Sequence, residues 1–174
     1  MRKVQVAIDS MAFKGYGVAR FHGKVVFVPY TVDGDKAWVE LVEEKENYST
    51  GRLIQLIEPS PRRVSPPCPY FGSCGGCQWQ HIHYPVQSEL KKEILQDLLK
   101  RLGRIDEIPP IGAFPSLKPY DYRIRIQLKV TGQAMGYYRE GSHQIVDIDH
   151  CPISHPLVNR ILRKLQTNLL SFNS

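Results

Sequence analysis

Apolar and polar residues alternate from the start of the chain. In RKVQVAID, Val4, Val6 and Ile8 share one face, the period of a half-buried strand. GYGVARFHGKVVFVPY reads as a hairpin in which residues 18–21 pair with 25–28 across a His22-Gly23 turn. In KAWVELVEE, Ala37, Val39 and Leu41 alternate with Trp38, Glu40 and Val42, and GRLIQLIE closes the set. Five short strands within residues 1–58 predict a small closed barrel of the OB type.

The pattern breaks at 59–67, PSPRRVSPP, where four prolines and two serines predict a stiff, extended linker. In YPVQSELKKEILQDLLKRLG the period changes. Val86, Leu90, Ile94, Leu98 and Leu102 recur every four residues with Leu95 and Leu99 beside them, which predicts an amphipathic helix with a buried stripe. Pro85 suits its first turn, Gly103 its stop, and Asp97 can pair with Arg101. A Pro-rich loop follows, and then YRIRIQLKV alternates again. Arg123, Arg125, Gln127 and Lys129 take one face, and Tyr122, Ile124, Ile126 and Leu128 the other. TGQ turns into AMGYYRE and GSH into QIVDID, which makes a three-stranded antiparallel meander. Leu157, Ile161, Leu165 and Leu169 mark a last helix. The predicted fold is mainly β plus α+β. A five-stranded OB-like barrel (1–58) and a linker (59–67) lead to a small antiparallel sheet with helices (68–174).

Composition adds a partner class. The chain has 174 residues, is 42% hydrophobic and carries a formal charge of +6, which excludes disorder and suits a polyanion such as RNA. No apolar run approaches the ~20 residues of a membrane span, and the N-terminus lacks the apolar core of a signal peptide. The expected compartment is the cytoplasm, where cysteines stay reduced. In FKGYGVARFHGK, Lys14, Arg20 and Lys24 interleave with Phe13, Tyr16 and Phe21. Cations there can neutralise phosphates and rings can stack on bases, while the same aromatics can equally serve the barrel core. Arg62 and Arg63 make the linker basic, and Arg123, Arg125 and Lys129 form a cationic row that is either an RNA-facing strip or an ordinary solvated face.

The candidate chemistry lies in CPYFGSCGGCQWQ. Cys68, Cys74 and Cys77 follow a C-x5-C-x2-C spacing around Gly75-Gly76, and Cys151 stands far along the chain. Four thiolates can hold a tetrahedral zinc or an iron–sulfur cluster. Structural zinc sites usually use two close pairs, whereas a local triad with a remote fourth cysteine suits a cubane cluster. Zinc and two disulfides remain the alternatives.

CPYFGSCGGCQWQHIHYPVQSELKKEIL, with Tyr84, Gln87 and Lys91 in a Y-x2-Q-x3-K run, resembles the iron–sulfur segment of the RNA uracil-5-methyltransferases. Residues 1–58 resemble the TRAM domain, an OB-like RNA-binding barrel, that precedes it in many members. MGYYREGSHQIVDIDHCPI resembles the strands that deliver the fourth ligand. The presence of the barrel and all four cysteines points to the bacterial ribosomal branch. The resemblance implies that Cys68, Cys74, Cys77 and Cys151 ligate a [4Fe–4S] cluster and that the partner is RNA, of the ribosomal kind. Charge and aromatic placement make Lys14, Tyr16, Arg20, Lys24, Arg62, Arg63, Arg123, Arg125 and Lys129 the candidate RNA contacts. Family members continue into an S-adenosylmethionine domain that supplies a nucleophilic cysteine and a base. No cofactor loop and no fifth cysteine is found here, so no catalytic residue is assigned and the chain alone is expected to be inactive. The rival expectations are a stand-alone, non-catalytic RNA-binding module and a zinc-stabilised adaptor.

Overall fold

The computed structural model describes residues 2–132 and 134–172, the side chains of 169–172 excepted. The elements run β1 (Arg2–Ala12), β2 (Tyr16–Phe21), β3 (Lys24–Val28), β4 (Lys36–Glu44), β5 (Tyr48–Glu58), α1 (Tyr84–Arg101), β6 (Lys129–Thr131), β7 (Ala134–Tyr138), β8 (Ile145–Asp147) and α2 (Pro156–Phe172). They form two compact units. Unit 1 holds residues 1–65 and 78–115, and unit 2 holds 66–77 and 116–174.

Unit 1 contains a closed barrel in the order β1-β2-β3-β5-β4. All its pairings are antiparallel except that of β3 with β5. The alternating residues point inward as read. Val4, Val6, Ile8, Ala19, Val26, Val28, Ala37, Val39 and Leu41 make one core. His22 and Gly23 both take left-handed conformations (φ 48° and 79°), the geometry of a tight hairpin turn that follows the strand twist. Glu40 departs from the outward-facing expectation. It is buried and pairs with Arg52 on the neighbouring strand.

Helix α1 packs on the barrel. Leu90 and Ile94 join Met11, Val32 and Ile82 in a second core flanked by Trp79, Val86 and Leu98. Leu95 and Leu102 stay exposed, so the buried stripe is narrower than the apolar pattern suggests. Pro85 lies in the first turn, and Arg101 Nε donates to Asp97 Oδ1 at 2.6 Å, as the sequence predicts. Gln87 and Lys91 have structural work here. Gln87 Nε2 donates to the carbonyls of Trp79 (3.2 Å) and Ile82 (2.9 Å), and the Lys91 ammonium stands 5.2 Å from the Trp79 ring centroid. The indole lies against Gly15, where an added Cβ would come within 2.8 Å of the ring and where φ is +75°. Only glycine serves both demands.

Much of the predicted stiff linker is hydrogen-bonded within unit 1. Arg63 bridges to Ile82, Val64 N donates to His81 O (2.9 Å) and His83 N to Arg62 O (2.9 Å). Asp35, fully buried, accepts from Val32 N (2.8 Å), Ser60 N (2.9 Å) and the Arg63 guanidinium (2.9 Å from Nη2). The compact units therefore divide the chain differently from the sequence boundaries at 59 and 68. Residues 78–115 sit with the barrel, because the apolar stripe of α1 completes a barrel-side core.

Unit 2 is built on the antiparallel sheet β6-β7-β8. Met135, Ile148 and Leu162 form its core, with Ile126, Leu128, Tyr137 and Cys151 packed against it. Two expectations change. The predicted strand over 122–130 is a ladder only at Lys129–Thr131, and Arg123 makes a single bridge to Ser154. Tyr122 and Ile124 (79% exposed) stay in solvent, since among the described residues no strand forms a ladder with that stretch to cover them. On α2, Leu162 is buried while Leu157, Ile161 and Leu165 are about half exposed. The side chain of Leu169 and the turn residue Gln133 lie outside the described residues.

Candidate metal centre and nucleic-acid face

The loop 66–77 folds into consecutive turns. Phe71 N donates to Cys68 O (3.1 Å), and Ser73 N and Cys74 N both donate to Tyr70 O (3.1 and 2.8 Å). Gly72 takes φ +82°. Two staples tie the loop to the meander. Gly75 N donates to Tyr138 O (3.0 Å), and Tyr70 Oη donates to Asp149 Oδ1 (2.6 Å). At Gly75 an added Cβ would stand 3.0 Å from the Tyr138 carbonyl and the Glu140 nitrogen, so the loop can approach β7 this closely only without a side chain. Gly76 N donates to Cys74 Sγ at 3.4 Å. From the other direction, Asn159 of α2 clamps Cys151. Its Oδ1 accepts from Cys151 N (2.9 Å), and its Nδ2 donates to Cys151 O (3.0 Å) and Ser154 O (3.1 Å).

These contacts gather the four cysteines within electrostatic reach of one another. All four are half-buried free thiols. Burial pushes the Cys68 thiol up, and the neighbouring Cys77, Cys151 and Cys74 add to the shift against a backbone hydrogen bond at Tyr70. Burial likewise raises Cys74, with Cys77 and Cys151 adding. A bound cation would reverse this pressure, because thiolates rather than thiols are ligands. Two tyrosines face the cysteines. Tyr120 is raised by burial and then by Cys77 and Cys68. Tyr137 is pushed up to about 12 by burial and then by Cys151. Among the described residues, no three His, Cys, Asp or Glu side chains are close enough to hold a single metal ion.

The cationic residues are more dispersed. Lys14 lies in the turn between β1 and β2 with φ 67°, Tyr16 opens β2, and exposed Arg20 lies toward its far end. Lys24 opens β3 and donates from Nζ to Lys45 O (2.8 Å). The strip thus divides between the two ends of β2. Its far end gains a residue that sequence reasoning missed. The Arg2 guanidinium stands 4.8 Å from the Phe21 ring centroid, and Arg2, Phe21, His22, Lys24, Glu44 and Ser49 line a cavity of about 190 Å³. Arg2 carries no local signal, because only barrel closure brings it to that ring. Arg63 is engaged inside unit 1 by Asp35 and by the Tyr30 carbonyl (2.6 Å), and Arg62 stands 3.3 Å from Asp33. In unit 2 the predicted row is not one strand face. Arg123 is fixed by backbone bonds with Ile153 and His155, Arg125 is exposed, and Lys129 Nζ stands 5.7 Å from the Tyr138 ring. Among the described residues, no helix is long and apolar enough to cross a membrane.

The chain thus carries a closed OB-like barrel and a small α+β unit with four free thiols. Residues 2–54 match the TRAM domain family, and nearly the whole chain is homologous to RNA methyltransferases, uracil-5-methyltransferases among them. It is 35% identical over 161 residues to an RNA methyltransferase of Aquifex aeolicus, covering 92% of this chain and 38% of the relative. It is 38% identical over 171 residues to the 23S rRNA (uracil(1939)-C(5))-methyltransferase of Pectobacterium atrosepticum, covering 95% of this chain and 38% of that one. Among solved structures, the Pyrococcus abyssi tRNA (uracil-54, C5)-methyltransferase in complex with S-adenosyl-L-homocysteine superposes with a TM-score of 0.72 at 28% identity, covering 95% of this chain and 37% of that chain. The chain therefore spans a little over a third of the length of these relatives.

Proposed function

We propose that this chain is the RNA-binding and iron–sulfur portion of an S-adenosylmethionine-dependent 23S rRNA uracil-5-methyltransferase, acting in the cytoplasm. The observation that supports the reading is that Cys68 and Cys74 lie within electrostatic reach of Cys77 and Cys151, in a chain homologous over 95% of its length to an enzyme of that activity. The donor set fits a [4Fe–4S] cluster. It offers four thiols, partly buried, with a backbone N–H already directed at one sulfur. The cluster would be structural, pinning loop 66–77 to the end of the meander. All four cysteines of the chain are in this cage, so the thiolate that adds to uracil before methyl transfer comes from the catalytic part of the complete enzyme. S-adenosylmethionine would bind there too.

Anaerobically purified protein is expected to be brown, with iron and acid-labile sulfide in equal amounts, and Cys151→Ser is expected to lose most of both. Stoichiometric zinc without sulfide would sink the cluster assignment and favour the zinc adaptor. RNA affinity is expected to fall steeply as salt rises, with Arg2→Ala and Lys24→Ala each flattening the slope. An affinity indifferent to salt would remove the electrostatic footprint from the reading.

A further inference from the structure

One polar group near the cysteines is left over by the interactions described so far. Tyr137 lies in the middle of β7, its ring packed against the Met135, Ile148 and Leu162 core that also carries Cys151. Its hydroxyl is buried and makes no hydrogen bond of full geometry, although the Cys151 sulfur lies within interaction range of it. Buried hydroxyls in folded proteins are nearly always satisfied, so this one lacks a full-strength acceptor. After its own burial, the side chain that acts most on this hydroxyl is Cys151, with Arg123 opposing and Cys74 adding. Cys151 itself cannot drift toward or away from the ring, because Asn159 holds both its backbone N–H and its carbonyl.

We propose that the Tyr137 hydroxyl donates a hydrogen bond to the Cys151 sulfur when that sulfur is a metal-bound thiolate, and thereby tunes the reduction potential of the bound group. The inference rests on the cluster reading above. A thiol is a weak acceptor, whereas a thiolate carries the charge that makes the same contact strong. Hydrogen bonds to cluster sulfurs stabilise the reduced, more negative state and raise the potential. Tyr137 is a positioning and tuning residue in this role, without contact to substrate.

The test compares midpoint potentials of wild type, Tyr137→Phe and Tyr138→Phe by anaerobic spectroelectrochemistry, each with its iron and sulfide measured. Tyr138 is the neighbouring, partly exposed residue whose ring faces His143 and Lys129. At a fixed applied potential the oxidised-to-reduced ratio of Tyr137→Phe is expected to rise about tenfold, ~59 mV for a one-electron couple, while Tyr138→Phe matches wild type. Equal potentials at equal iron content would overturn the role of Tyr137 and leave the cluster standing. Wild-type protein without iron and sulfide would overturn both. Should Tyr137→Phe fail to retain its metal, 3-fluorotyrosine placed at 137 strengthens the donor without deleting it. A raised potential then supports the proposal, and an unchanged one overturns it.

Discussion

Asp35→Ala is expected to lower the unfolding free energy of unit 1 by about 3–5 kcal/mol, the range found when one partner of a buried ion pair is removed. Asp35 is fully buried and collects Val32 N, Ser60 N and the Arg63 guanidinium. Alanine would leave two backbone donors and a largely buried cation without an acceptor, since the Arg63 side chain is only 15% exposed. Trp38 and Trp79, the two tryptophans of the chain, both lie in unit 1, so their fluorescence during urea unfolding reports on this unit. Glu58→Ala is the matching control. It removes an exposed pair with Lys36 (2.8 Å), and surface pairs of this kind contribute about 0–1 kcal/mol. A loss below about 1 kcal/mol for Asp35→Ala would show that water, rather than this carboxylate, satisfies the docked segment.

Acidification is expected to weaken the same unit through His81. The imidazole is 1% exposed, with Nε2 at 3.2 Å from the Thr31 carbonyl. Burial lowers its pKa to about 4; the Thr31 contact and Asp35 oppose the shift, and the Arg63 charge adds to it. The unfolded chain titrates near 6.5. The folded state therefore binds fewer protons between these values. The stabilisation is complete above pH 6.5 and drains away as the pH falls toward 4, by about 3 kcal/mol in all. His81→Gln should flatten the profile across that window, when urea midpoints are compared at pH 7.5 and 4.5. A variant with the wild-type slope would assign the acid sensitivity to carboxylates instead.

The barrel was legible because a small closed sheet has a single inside, so period-two alternation in 1–58 maps directly onto burial. The 122–130 segment shows where that inference stops. Alternation marks what a residue could bury, not whether a neighbouring strand exists to bury it, and Ile124 remains exposed. The linker misled for a related reason. Prolines at 59, 61, 66 and 67 set the backbone conformation but say nothing about Asp35, which comes from the far side of the barrel sequence to hold Ser60 and Arg63. The cysteine spacing was visible because it is local, and the meander strands that precede Cys151 were visible as alternation. Tyr137 and Asn159, which surround Cys151, were not. No spacing rule joins a mid-strand tyrosine and a helix-borne amide to a cysteine that precedes the helix.

The order of the chain sets the order of assembly. Loop 66–77 is synthesised first, the polypeptide then returns to finish unit 1 through residue 115, and only afterwards produces the part of unit 2 that carries Cys151. At ~5–20 residues per second a nascent chain exposes three thiols for seconds before the fourth exists. During that interval they are open to oxidation and to ions that three thiolates can chelate. On the cluster reading, the complete ligand set exists only once translation has passed residue 151, when every residue of unit 1 has already been made.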